Sequence, residues 1–276
     1  MDVIDWLDSG DPAIRWQVMR DLTDQPWAQT RDLVTSQGWG ARLLSYRAED
    51  GTWPDGWYSP KWTSTFYSLQ LLQQLGVPAP RSTQALLTEG LQADGRFKLW
   101  PSAKYDECVT GMMLTMANEA GLTMPGTVQW LVDQQRPDGG WNCRVGDAHS
   151  SFHTTLSVLE GLGDQQAAQA GREFLLRHHL FRSHTTGKVA RQEFTRFSFP
   201  TRWYYDVLRA LDYWRAHQWD DRLADALDLV DRRRRDGRWV LQNPHRGRTW
   251  FEMEQVGQPS RWITLRALRV LRWAAG

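Results

Sequence analysis

A four-residue pattern, Asp-Gly-x-(Trp/Phe), recurs along this chain and constrains its fold more than any other feature. It reads Asp50-Gly51-Thr52-Trp53, Asp94-Gly95-Arg96-Phe97, Asp138-Gly139-Gly140-Trp141 and Asp236-Gly237-Arg238-Trp239. The first three copies lie 44 residues apart, and the last follows after 98, about two periods. A missing copy falls near Thr186-Gly187-Lys188, where a long loop replaces it. Periods of about 20–50 residues mark stacked supersecondary units, because one unit alone cannot bury its apolar face. Each copy predicts the same local event. A helix ends, glycine takes a positive φ, and the aromatic ring packs back on the turn.

Apolar residues recur at helical spacing on both sides of these turns. Before them lie Thr127–Gln135 and Asp221–Arg232. After them lie Lys61–Leu75, Asp106–Ala120, Ser150–Leu162, Thr201–Trp214 and Arg261–Trp273, and Asp11–Trp16 opens a sixth helix of this second set. Their starts carry Pro, Ser or Asp, as helix starts do. The expected fold is all-α, a single domain over residues 1–276 with 1–40 as an N-terminal helical part. Five or six helix pairs satisfy the period either as an open solenoid or as a closed ring.

Composition narrows the function. The chain is 41% hydrophobic, enough for a core, and its net charge is +1. That balance argues against nucleic acid or an anionic membrane as partner. The basic run from Asp231 to Asp236 reads as a solvated helix end. No apolar run approaches the roughly 20 residues of a membrane span, so no transmembrane segment is expected. The first residues lack a signal-peptide layout, which makes the cytoplasm the expected location. Two cysteines do not make a disulfide framework. Seventeen tryptophans call for a repeating structural role, or for walls around an apolar or cationic ligand.

The openings of the second-set helices carry the sharpest clue. They read Arg15-Trp16, Lys61-Trp62, Arg202-Trp203 and Arg261-Trp262, but Glu107-Cys108 and Phe152-His153 in the two middle repeats. Neighbouring repeats thus put Cys and His where the others put Trp. A thiolate and an imidazole suit zinc.

The Asp-Gly-Gly-Trp turns resemble the repeats of squalene–hopene cyclases and protein prenyltransferase β-subunits, from about residue 40 to the end of the chain. That resemblance implies an (α/α) toroid with a central, aromatic-lined cavity. Asp106-Glu107-Cys108 and Phe152-His153-Thr154-Thr155 further resemble the zinc-ligand segments of the prenyltransferase β-subunits. The resemblance therefore implies Asp106, Cys108 and His153 as zinc ligands and catalytic residues. The chain departs from both families. It has no helical α-subunit domain, and no other partner subunit is evident. Its Cys108-to-His153 spacing is shorter, and neither an Asp-x-Asp-Asp acid motif nor an Asp-Asp-x-x-Asp motif is present.

Cys143 lies just before the helix that carries His153. With Asp106, Cys108 and His153 it would close a four-ligand, structural type of site; without it, one position stays open as catalysis needs. His149 is a further ligand or supporting residue. Trp62, Trp203, Trp262, Tyr204 and Tyr205 are the expected cavity lining. Two long loops, Arg182–Pro200 and Val240–Pro259, are expected at the cavity mouth, where Arg196, Arg202 and Arg261 meet an anion or pair with Glu252 or Glu254. Three readings follow. The first is a zinc enzyme activating a nucleophile against a small apolar or isoprenoid-like ligand. The second is a metal-free cyclase using Asp106 or Asp206 as acid. The third is a non-catalytic binding toroid with a structural zinc.

Overall fold

The computed structural model describes residues 2–77, 81–99, 107–144 and 146–276. The protein is all-α, as its periodicity predicts. Its helices are α1 Val3–Asp8, α2 Pro12–Asp21, α3 Ala28–Asp32, α4 Gly38–Leu44, α5 Thr65–Leu75, α6 Arg81–Thr88, α7 Glu107–Glu119, α8 Pro125–Asp133, α9 Phe152–Leu162, α10 Gln166–Arg177, α11 Val207–Trp214, α12 Ala224–Arg232 and α13 Arg261–Ala274. A two-residue antiparallel pair, β1 Trp239–Val240 with β2 Pro259–Ser260, is the one ladder among the described residues. No helix there is long and apolar enough to cross a membrane.

Side-chain caps fix several helix starts. Asp11 accepts from Ala13 N, Ser151 from Thr154 N, Asp206 from Arg209 N and Ser260 from Ile263 N. Each satisfies a first-turn N–H that has no intrahelical partner. Two helices start later than the periodicity suggests. In the stretch expected as Lys61–Leu75, Trp62 N donates to Arg248 O, and Thr65 N and Phe66 N to Gly56 O and Trp57 O. The loops take these N–H groups first, and α5 begins only at Thr65. In the stretch expected as Thr201–Trp214, Arg202 sits at φ 56° and Tyr205 N donates to His153 Nδ1. Helix α11 therefore waits for the Asp206 cap.

The repeated turns share a hydrogen-bond scheme. The backbone N–H of Trp53, Phe97, Trp141 and Trp239 donates to the hydroxyl of Thr65, Thr110, Thr155 and Thr264 on the following helix, at 2.9–3.1 Å. The indole N–H groups of Trp53, Trp141 and Trp239 reach back to Leu43 O, Leu131 O and Val230 O. Each of these tryptophans thus bolts the end of one helix to the start of the next. Its ring is buried, so the indole needs this partner. Near the missing copy, Arg182 and Val189 form an antiparallel bridge. There Tyr205, arriving from elsewhere, donates its O–H to Leu180 O beyond the end of α10.

Helices α2, α5, α7, α9, α11 and α13 each touch the next. Trp16 donates to Leu75 O and Gln17 to Gln74 O, joining α2 to α5. Gln70 donates to Met112 Sδ, joining α5 to α7. Helices α7 and α9 approach most closely, because a Cβ at Gly111 would stand 2.5 Å from Ser157 O and one at Gly161 2.5 Å from Gly111 O. Arg209 pairs with Glu160 between α9 and α11. Asp212 pairs with Arg266 between α11 and α13. Arg269 returns from α13 to Asp21 and Gln17 on α2. Helix α8 packs on α7, α10 on α9, and α12 on α11 and α13.

Candidate ligand cavity and the cysteine–histidine cluster

Residues of the six contacting helices, with others nearby, line a cavity of about 510 Å³. Its wall has two characters. Helices α2, α11 and α13 supply Arg20, Arg209, Arg266, Arg269 and Asp212, Arg215 follows the end of α11, and α3 adds Arg31. Helices α5 and α7 supply Leu69, Leu72, Met112 and Met116 with Gln70, Gln73, Thr115 and Glu119, and Val77 and Leu87 extend this neutral side.

The charged wall is a lattice of ion pairs. Asp212 lies 3.1 Å from Arg266 and 3.3 Å from Arg215, and also pairs with Arg269. Asp21 pairs with Arg20, Arg215 and Arg269. Burial by itself would raise the Asp212 carboxyl; Arg269 and Arg266 outweigh it and hold the group well below the usual carboxylate range. Glu119 has no such lattice. Burial raises its carboxyl, and the Gln73 hydrogen bond and the charges of Arg31 and Arg20 offset only part of that. The cavity wall holds six arginines against Glu119, Glu160 and Asp212, so its field is positive. Arg31 donates to Gly76 O and lies over the Trp16 ring. Among the described residues it makes no ion pair.

The expected site residues are distributed between this cavity and a second region. Trp262 lines the cavity and stacks on Phe199 at 3.9 Å. Trp62, Trp203, Tyr204 and Tyr205 are not part of its wall. They meet His153 and His245 instead. Trp203 stacks on Tyr204 at 3.9 Å, Tyr204 on His245 at 3.8 Å, and His153 lies edge-on to Trp203 at 5.4 Å. Trp62 donates to His245 O and Arg246 O. The loop expected at a mouth is thus packed onto this cluster. Burial, with the positive charges of Arg209, Arg191 and Arg144, lowers His153 from the ordinary 6.5 to about 4. Burial and Arg202 lower His245 to about 3. Both rings are neutral at pH 7. Arg202 is itself buried over Trp62. Arg261 donates to Trp6 O, and Glu254 accepts from Arg261 N and Trp262 N at the start of α13.

The two cysteines do come together. Cys143 Sγ lies 3.1 Å from Cys108 N at the start of α7 and 3.5 Å from the Thr154 hydroxyl of α9. Asp106 lies outside the described residues. His153 accepts the Tyr205 N–H at Nδ1, 2.8 Å away. A neutral ring that accepts there carries its proton on Nε2, so neither nitrogen offers a lone pair to a metal in this posture. Among the described residues no group of three or more His, Cys, Asp or Glu side chains gathers as a metal site would require. For zinc, the described side chains supply two adjacent thiols but not His153 as a ligand. His149 is exposed, and its carbonyl accepts from Asn142. Asp206 is spent on its cap and on Ser198, whose N–H and O–H both donate to it.

The arginine lattice carried no sequence signal, because its members come from three helices far apart in the chain. The threonines that hold the repeat turns were readable in principle, from their place in the helix that follows each turn.

No protein-family model matches this sequence, and no curated protein matches it. A solved crystal structure of a protein from Actinoplanes is 18% identical, with 97% of this chain and 91% of that one covered and a TM-score of 0.48.

Proposed function

We propose that this protein is an (α/α) toroid that binds a small anionic amphiphile in its central cavity. The toroid reading is supported by the order of helix contacts, α2–α5–α7–α9–α11–α13 and back to α2. The ligand class rests on one observation, the two-sided cavity wall with its excess of arginine. Cationic forks recognise carboxylate or phosphate, and the Leu69, Leu72, Met112 and Met116 side takes the apolar portion. An isoprenoid-like tail fits that description, as does any short alkyl chain. Calorimetric titration with octyl phosphate, octanol and octyltrimethylammonium tests the proposal. Binding of the phosphate at least about tenfold tighter than the other two is expected, a difference of about 1.4 kcal/mol. Equal binding of all three, or of none, would refute it.

A second reading retains zinc, held by Asp106, Cys108 and Cys143 with His153 turned to release Tyr205. The adjacency of the two thiols favours it. About one zinc per chain in protein purified without added metal, lost in Cys108→Ala, is its expected signature.

A further inference from the structure

We infer that Cys108 and Cys143 form a redox-active pair, a covalent modification site that closes to a disulfide between α7 and the loop preceding α9. They are the chain's two cysteines and stand 35 residues apart in sequence. The fold nevertheless seats the Cys143 sulfur 3.1 Å from the backbone nitrogen of Cys108. Bond lengths and staggered rotamers keep a cysteine's own Sγ within about 4 Å of its backbone nitrogen. The two sulfurs are therefore at most about 7 Å apart, and rotation about the two side chains is the motion that would bring them to bonding distance. Both residues are partly exposed and are held as thiols, so an oxidant in solution reaches them.

Neither partner is free to drift from the other. Cys108 rides on the first turn of α7. Cys143 is tied to α9 through the Thr154 hydroxyl, which accepts from its N–H and donates to its sulfur. Helices α7 and α9 are themselves locked by the Gly111–Gly161 approach. Such a preset pair oxidises within one chain in preference to pairing between chains.

The oxidant is a hydroperoxide. With hydrogen peroxide, two S–H bonds and the O–O bond break, and one S–S bond forms. The sulfurs are oxidised, the peroxide oxygens are reduced, and both thiol protons leave in two waters. The bridge would fasten the α7 start to the strand of chain that leads into His153. The zinc reading claims the same sulfurs, so the test uses full-length protein washed with a chelator.

That protein is treated with a few equivalents of hydrogen peroxide, alkylated with a maleimide and weighed intact. The expected product is about 2 Da lighter than the reduced chain, carries no label and regains both labels after dithiothreitol. Its melting temperature rises by a few degrees, because the bridge constrains the unfolded chain. Cys108→Ser and Cys143→Ser each lose the 2 Da change. Wild-type protein that gains oxygen while keeping two labelled thiols, or that migrates as a dimer on a non-reducing gel, overturns the inference.

Discussion

The charged cavity wall and the aromatic–histidine cluster handle buried ionisable groups in opposite ways. In the cavity, Asp21 and Asp212 stay ionised because each faces at least two guanidinium groups. In the cluster, no carboxylate among the described residues pairs with His153 or His245, and burial strips them of charge. The first region keeps its charges in ion pairs. The second spends its polar groups on the fold, with His153 receiving Tyr205 N and His245 bonded to Ser198. Residue type alone thus does not decide which buried group keeps its charge: the carboxylates keep theirs among guanidinium groups, and the imidazoles lose theirs to burial.

The largest expected break in this contrast is Asp212→Asn. Among the described residues it leaves Arg266 without a carboxylate partner, and Arg269 and Arg215 with Asp21 alone. We expect a loss of roughly 3–5 kcal/mol in denaturant unfolding, the usual cost of orphaning a buried ion pair. His245→Phe should cost less than about 1.5 kcal/mol, because a stacked neutral ring is replaced by another. Equal losses in the two variants would erase the distinction.

Gly111→Ala tests the frame that both regions share. The new methyl would meet the Ser157 backbone, and overpacking of this kind costs about 1–3 kcal/mol. An unchanged melting temperature would show that α7 and α9 have room to part.

The pH dependence sharpens the contrast further. The cluster histidines resist protonation when folded and accept it at about 6.5 when unfolded. Their contribution is full above pH 6.5 and declines as pH falls towards 4 and then 3. The Asp212 contribution has the opposite partners but fails at lower pH. It is present above about pH 4, the unfolded aspartate value, and is lost only well below it. Unfolding free energy should therefore begin to fall near pH 6.5, and His245→Phe should shallow that first decline. A flat profile from pH 7 to 4 would contradict the buried neutral rings.

The smallest effect concerns Arg31. Arg31→Gln should leave stability nearly unchanged, since among the described residues its side chain makes one hydrogen bond, to Gly76 O. It should weaken octyl phosphate about tenfold in the titration described above, as loss of one charge-assisted contact does.

The all-α fold was legible in the sequence because the Asp-Gly-x-(Trp/Phe) turns and helical periodicity agree at each repeat. The late starts of α5 and α11 were not, since they depend on N–H groups captured by distant carbonyls and by His153. The meeting of Cys108 with Cys143 followed from neighbouring repeats. The posture of His153 did not, because the backbone of Tyr205 decides it from 52 residues away. Trp262 faces the cavity because it lies inside α13. Trp62 and Trp203 precede their helices, and that offset carries them into the other cluster.

The most direct test of the central claim is a crystal structure with octyl phosphate bound below its micelle concentration. The account predicts the phosphate against the arginines of α2, α3, α11 and α13, with the alkyl chain along Leu69, Leu72, Met112 and Met116. Ligand density between Trp62 and Trp203, with the cavity unoccupied, would contradict it.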